Sequence, residues 1–162
     1  MQEWGKRSIE VASLFNPAFC SVIIRESVKG FQSEQAEGMS YPLVYLVLPI
    51  VLHKATRDQL PVAITTKMHS WINQNKDLKI RFAGRVRDLN SITKEGLLYG
   101  LQAELFLIDN QGRFKLTSKK IKPNWKPESE PSVCSKKAGF IGRWLAQAGD
   151  PKTIFHMWGV KP

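Results

Sequence analysis

The spacing of apolar residues changes from a helical to a strand-like period in the middle of this chain, and the change restricts the folds that it can adopt. Up to residue 105, apolar side chains recur mostly every three or four residues, which is the period of amphipathic helices. Residues 105–108 and 113–117 are short β-prone runs instead, separated by the turn-forming sequence Asp109-Asn110-Gln111-Gly112. The sequence therefore predicts a mostly α fold with one small β-hairpin.

Two proline signals predict where early helices begin. Asn16-Pro17 combines a capping residue with a first-turn proline and predicts a helix over residues 17–31. Ser40-Tyr41-Pro42 predicts a second start, with a helix that continues through Pro49 and kinks there. The apolar run of residues 43–52 is shorter than the roughly 18 residues of a membrane span, so we expect a buried core helix.

The hairpin is preceded by two predicted helices. Residues 77–89 carry one apolar stripe, and the helix that follows contains Gly96 and Gly100, which permit close packing against a neighbour. Helix, short turn, helix and hairpin is the order of a winged helix, in which the second helix can enter a DNA groove. We therefore interpret this region as a winged-helix-like centre.

Composition and turn signals divide the chain into three parts. Residues 1–118 are predicted to form a helical body, with the winged-helix-like segment at about 77–118. Residues 119–131 combine lysines with three prolines and are predicted to be a basic linker or extended arm. Residues 132–162 are predicted to form a C-terminal helical tail that packs on the body or on a partner, with one helix ending at Gly149 and another starting at Asp150-Pro151.

Positive charge is concentrated near the C-terminus. The net charge is +10, and residues 111–162 hold 11 Lys or Arg against 3 Asp or Glu. Such a distribution favours contact with a polyanion, DNA above all, because neutralised phosphates release counterions. The candidates for phosphate contact lie on the predicted hairpin and arm: Arg113, Lys115, Lys119, Lys120, Lys122 and Lys126. The alternative is a solvated basic surface with no ligand.

Large aromatic residues of the C-terminal part are a separate signal. Tryptophan is over-represented among the residues that anchor protein interfaces. The candidates for a partner interface are Trp125, Trp144, Phe155 and Trp158. The alternative is that these side chains belong to the internal core.

Motifs of enzymes were not found in the sequence. It has no nucleophile elbow, no phosphate loop and no paired metal-ligand spacing, and His53, His69 and His156 lie on separate predicted helices. Cys20 and Cys134 lie in apolar stretches and are expected to be reduced, buried thiols. We therefore expect a protein that is not an enzyme and binds no cofactor or metal. Its first ten residues lack the apolar segment of a signal peptide, which predicts a cytoplasmic location.

The chain resembles the middle component of three-component ABC systems over nearly its whole length. The stretches that carry the resemblance are LFNPAFC at residues 14–20, YPLVYLVLP at 41–49, TKEGLLYGL at 93–101, GRW at 142–144 and WGVKP at 158–162. The resemblance implies an accessory subunit encoded beside an SMC-like ABC ATPase and an effector, as in Lamassu-type antiphage defence. It supplies no active-site residue to carry over.

Two functions from different classes follow. The resemblance implies an adaptor that bridges the SMC-like ATPase and a nuclease-type effector, with DNA as a further expected contact through the complex and no membrane partner. The alternative is a free-standing winged-helix DNA-binding regulator, which the basic C-terminal part and the helix–hairpin order favour. Residues 93–104 contain no arginine, however, and place Lys94 against Glu95 and Glu104, which is a poor composition for reading bases.

Overall fold

Helix α1, Pro17–Glu34, makes the most extensive contacts with the other elements. The computed structural model describes residues 15–161, so residues 1–14 of the predicted body and Pro162 lie outside the described part. The other elements follow in chain order: β1 (Met39–Ser40), α2 (Tyr41–Val51), α3 (Lys54–Asp58), α4 (Met68–Gln74), a 3₁₀ turn (Lys76–Lys79), α5 (Phe82–Asp88), α6 (Asn90–Gln102), β2 (Phe106–Ile108), β3 (Arg113–Leu116), α7 (Glu130–Gln147) and α8 (Pro151–Met157). The predicted mostly helical fold with a hairpin is confirmed.

The helix starts lie where the local capping signals predict them. The Asn16 side chain accepts a hydrogen bond from the backbone N–H of Ala18 at 2.8 Å, directly before Pro17 begins α1. Helix α2 begins at Tyr41 with Pro42 in its first turn, and it contains Pro49 before ending at Val51. The Asp150 carboxylate accepts from the N–H of Thr153 at 3.0 Å and caps α8.

The sheet has three antiparallel strands in the order β1-β3-β2. The hairpin pairs Phe106 with Leu116 and Ile108 with Phe114, and its turn is stabilised by the Asp109 carboxylate, which accepts from the N–H of Arg113 at 3.0 Å. Met39 in β1 pairs with Phe114 on the other side of β3. Strand β1 was not expected, because two residues are too few to show a period.

The single helix predicted over residues 77–89 is wrong. The 3₁₀ turn and α5 are separate, and Arg81 between them has φ of 62°, a left-handed conformation that breaks a helix. Leu78 and Phe82 are both buried, while the intervening Ile80 is 66% exposed. The apolar residues of the predicted stripe therefore lie on two short elements, and the backbone changes direction between them at Arg81.

Helices α1 and α7 approach closely where both carry glycine. A Cβ atom added to Gly142 would lie 1.9 Å from the carbonyl oxygen of Ser27, and one added to Gly30 would lie 2.1 Å from that of Gly139. Both distances are far shorter than any van der Waals contact, so only glycine fits at these two positions. The backbones of α1 and α7 are consequently in direct contact.

Helix α6 packs on α1 and on the hairpin through its own glycines. A Cβ atom on Gly96 would lie 3.0 Å from the Cβ of Cys20, and one on Gly100 would lie 2.2 Å from the ring of Phe106. The predicted close packing at Gly96 and Gly100 is confirmed. It places the hairpin directly behind the C-terminal half of α6.

Aromatic side chains join the C-terminal elements to the rest of the core. The Trp71 ring lies 5.3 Å from that of Trp144 and 6.1 Å from that of Trp158, and the Phe82 ring lies 4.5 Å from Trp158. Aromatic pairs at such distances add about 0.5–1.5 kcal/mol each beyond their buried area. Within residues 15–161, no helix combines the length and apolar character that crossing a membrane requires.

We predict that Gly142→Ala destabilises the chain by about 1–3 kcal/mol, because the added methyl group forces α7 away from α1. Gly139→Ala is the matched control in the same helix, since its Cβ would meet only the carbonyl oxygen of Glu26, at 3.9 Å. The control gains helix propensity and should equal or exceed the original stability. Urea unfolding measures both, and equal midpoints for the two variants would contradict the direct backbone contact.

Candidate interaction surface

Helix α6 presents apolar side chains outward as well as inward. Its inner face is buried, including Ile92 and Leu97, yet Leu98 is 56% exposed and Tyr99 is 43% exposed. The adjoining strand β2 exposes Leu107 and Ile108 as well. Single exposed apolar residues are ordinary, but four on two consecutive elements favour a surface that a partner covers. We call these four residues the α6–β2 apolar residues.

The segment between β3 and α7 is held against the helices, although it contains neither helix nor strand. From here on, we call residues 117–129 the arm, which starts and ends two residues before the predicted arm of residues 119–131. The Arg25 guanidinium, which is buried in α1, donates to the carbonyl oxygen of Lys119 at 3.1 Å and pairs with the Glu26 carboxylate at 2.8 Å. The Lys119 ammonium donates to the carbonyl oxygen of Ala103 at 2.7 Å, at the C-terminal end of α6. The arm is thus tied to both α1 and α6.

The six candidates for phosphate contact fall into two groups. Arg113 and Lys115 lie on β3, and the Lys115 ammonium pairs with the Asp109 carboxylate at 3.1 Å. The N–H of Arg113 and then the Lys115 ammonium hold the pKa of Asp109 below its ordinary value. The other four lie on the arm, where all are exposed: Lys119, Lys120, Lys122 and Lys126. Phosphate contact by any of the six stays a prediction.

Three of the four aromatic interface candidates have internal partners. Trp144 and Trp158 are each 1% exposed and Phe155 is 6% exposed. The Trp144 indole N–H donates to the carbonyl oxygen of Thr66 at 2.7 Å. Trp125 differs, because it is only half-buried and lies on the arm, with its ring edge-on to Phe19 at 5.8 Å. An interface role for the four stays a prediction, and Trp125 is the member placed at an open surface.

An open groove lies between α1, α6 and the arm, with a volume of about 520 Å³. We call it the arm groove. Its lining is mainly apolar and includes Phe19 and Val22 from α1, Tyr99 from α6, and Ile121 and Trp125 from the arm. Lys119 and Lys122 are the charged residues in its lining, and none of the described residues that line it is Asp or Glu.

A buried polar cluster joins α2, α3 and α7. Arg57 is 3% exposed, and its guanidinium donates to the carbonyl oxygen of Val51 and to the Glu130 carboxylate, both at 2.8 Å. His53 caps α3 by accepting from the N–H of Thr56 at 3.3 Å through Nδ1, which requires that this nitrogen be unprotonated. These interactions hold the start of α3 beside α7. Sequence patterns do not predict these interactions, because a lone Arg or His is usually exposed.

The two cysteines and the remaining histidines are the other side chains that could take part in chemistry. Burial raises the pKa of Cys20 to about 12 and also raises that of Cys134, and both thiols are free and buried, as predicted. His69 and His156 are exposed. Among residues 15–161, no group of His, Cys, Asp and Glu is arranged to hold a metal ion.

We predict that His53 makes stability fall as the pH is lowered. Burial, followed by the nearby charges of Arg85 and Arg57, keeps the pKa of His53 below its ordinary 6.5 in the folded chain. The unfolded chain therefore takes up the proton first as the pH drops below 6.5, and the free energy of unfolding decreases. His53→Asn keeps a good capping side chain without the titration and should reduce this slope in urea unfolding at pH 8 to 5. His69→Asn, at an exposed position, is the control, and an equal effect of both substitutions would contradict the assignment.

We predict that Arg25→Met releases the arm. The variant keeps an apolar stem but loses the hydrogen bond to Lys119, and such bonds from charged groups contribute about 1.5–3 kcal/mol. Trypsin cleavage after Lys119 and Lys120 should become about tenfold faster. Lys29→Met on the same helix removes a 62% exposed side chain and should leave the rate unchanged. Equal rates in both variants would show that Arg25 does not hold the arm.

The comparisons with known proteins agree with the resemblance seen in the sequence. A family model described as ABC-three component (ABC-3C) system Middle Component 3 matches residues 4–162. No curated protein and no solved structure gives a significant match. The expected relation to the middle components of three-component ABC systems is confirmed at this level. Since the match spans nearly the entire sequence, the chain belongs to the Middle Component 3 family of ABC-three component systems.

Proposed function

We propose that the chain is a non-catalytic accessory subunit that bridges an SMC-like ABC ATPase and a nuclease-type effector in antiphage or anti-plasmid defence of the Lamassu type. The family supplies the general role of a middle component in an ABC system. The observation that carries the proposal is the exposure of the four α6–β2 apolar residues. An adaptor needs such a surface, because apolar contact supplies most of the free energy of stable protein association.

We further propose that this surface belongs to a winged helix. Helix α6 leads directly into the β2–β3 hairpin, and β1, which follows α1, completes the sheet next to β3. In this arrangement α2 and α6 are the helix pair and α1 supports both, while residues 52–89 form an insertion. The predicted segment at about 77–118 would then supply the second helix and the wing, but not the first helix.

The position of α6 distinguishes an adaptor from a DNA-binding regulator. In a winged helix that reads DNA, the exposed face of the second helix carries side chains that bond to base edges, commonly Arg, Asn or Gln. Here the exposed face contains no arginine, and it carries Leu98 and Tyr99 together with Lys94 and Gln102. Burying Leu98 and Tyr99 against a partner subunit is favourable, whereas a groove lined by base edges and phosphates offers them little apolar contact.

The two buried arginines and the partly buried His53 support a structural role more than a catalytic one. Arg57 ties α3 to α7, Arg25 ties α1 to the arm, and His53 caps a helix. Each is thus engaged within the fold. In the proposed function, DNA contact is secondary and occurs through the exposed lysines of the arm when the whole complex is bound to DNA.

The test of the proposed function is co-expression with the two other components encoded beside this chain. We expect the chain to copurify with both, and the complex to contain an ATPase with a long coiled coil. The isolated chain should bind duplex DNA weakly and without sequence preference. Tight sequence-specific binding by the isolated chain, together with failure to copurify, would instead establish the regulator.

We predict that Leu98→Glu lowers recovery of the complex by about tenfold, since a charge would replace an apolar contact in the interface. Val62→Glu is the matched control, because Val62 is apolar and 100% exposed but lies in the loop between α3 and α4. Both variants should keep their unfolding midpoints, as exposed substitutions rarely change stability by more than about 0.5 kcal/mol. Full recovery with Leu98→Glu would exclude this face of α6 from the interface.

A further inference from the structure

Three segments of the chain form the walls of the arm groove. One wall is α1, another is the C-terminal end of α6, and the third is the arm. The arm cannot easily swing away, because Arg25 and the Lys119 ammonium hold it at its start and the Trp125 ring packs on Phe19 further along. A preformed groove loses less conformational entropy on binding than a mobile segment does.

The groove combines an apolar floor with a basic rim. Val22 and Ile121 supply aliphatic surface, and the 43% exposed Tyr99 supplies an aromatic ring that is accessible from solvent. Lys119 and Lys122 are the charged members of the described lining, and Lys120 and Lys126 add positive charge along the same arm. A complementary ligand therefore has apolar side chains that enter the groove and negative charges that face its edge.

We propose that the arm groove binds an acidic amphipathic segment of a partner subunit, with apolar side chains on Val22, Tyr99 and Trp125 and carboxylates at Lys119 and Lys122. The proposal rests on the proposed function, since it assigns one docking site within the complex. The volume of about 520 Å³ suits a few side chains of one peptide segment rather than a broad subunit face. The docking mode is thus a short motif held in a groove.

A peptide suits this groove better than single-stranded nucleic acid does. Single strands bind on platforms where successive bases stack on aromatic faces. Here Trp125 is half-buried with its ring against Phe19, and much of the remaining floor is aliphatic. Leucine-like side chains pack on such a floor, whereas bases would lose their polar contacts with water there.

The experiment uses the full chain and overlapping fluorescent peptides that cover the sequences of the two other components. We expect binding, measured by fluorescence anisotropy, only for peptides that combine apolar and acidic residues. Tyr99→Ala should weaken this binding about tenfold by removing an exposed apolar anchor. Lys122→Glu should weaken it most at low salt, since it reverses a rim charge. Lys152→Glu on α8 is the matched exposed control and should leave the affinity unchanged.

Several results would overturn the proposal. If the whole subunits copurify with the chain but no peptide binds, the groove is not the docking site, and the proposed function still stands. If neither subunit copurifies, the proposed function itself fails. Binding of labelled oligothymidine that both variants weaken, without peptide binding, would assign the groove to nucleic acid. A concentration-dependent dimer that Tyr99→Ala abolishes in sedimentation, without peptide binding, would assign it to a second copy of the chain.

Discussion

The direct backbone contact between α1 and α7 is the constraint on which the rest of the fold depends. Gly30 and Gly142 leave no room for a side chain, so the two helices meet at a distance that no other residues would allow. At this distance the small residues of each helix pack against the backbone of the other. Little empty space is left between the two helices, as a well-packed core requires. Because α1 also contacts α6, α2 and the sheet, the position of α7 on α1 affects how these elements pack as well.

In addition to the glycine contact, two buried arginines hold further segments against α1 and α7. Arg57 connects α3 with the first turn of α7, and Arg25 connects α1 with the arm that leads into α7. Both side chains donate to a backbone carbonyl oxygen and to a carboxylate, and these bonds offset part of the cost of removing a charge from water. The arm is therefore one wall of a groove although it contains no regular secondary structure.

Exposed apolar side chains and exposed lysines are concentrated on different parts of the surface. Four exposed apolar residues lie on α6 and β2, while the arm carries four exposed lysines. In the proposed adaptor these apolar residues supply binding free energy, and the lysines of the arm steer acidic segments or phosphates towards the complex. A groove that combines both chemistries lies at their boundary, where the C-terminal end of α6 meets the arm.

The sequence by itself determined the local elements, and the tertiary structure decided which of them meet. Capping at Asn16 and Asp150, first-turn prolines and the turn at Asp109 act over a few residues, so the helix starts and the hairpin were predictable from short patterns. The break at Arg81 and the strand Met39–Ser40 were not, because a left-handed residue and a two-residue strand leave no period in the sequence. The burial of Arg25 and Arg57 depends on partners 94 and 73 residues away in the chain. Likewise, the apolar spacing of α6 did not reveal that Leu98 is exposed, since only the packing of α1 and the hairpin against its other face leaves that side chain outside.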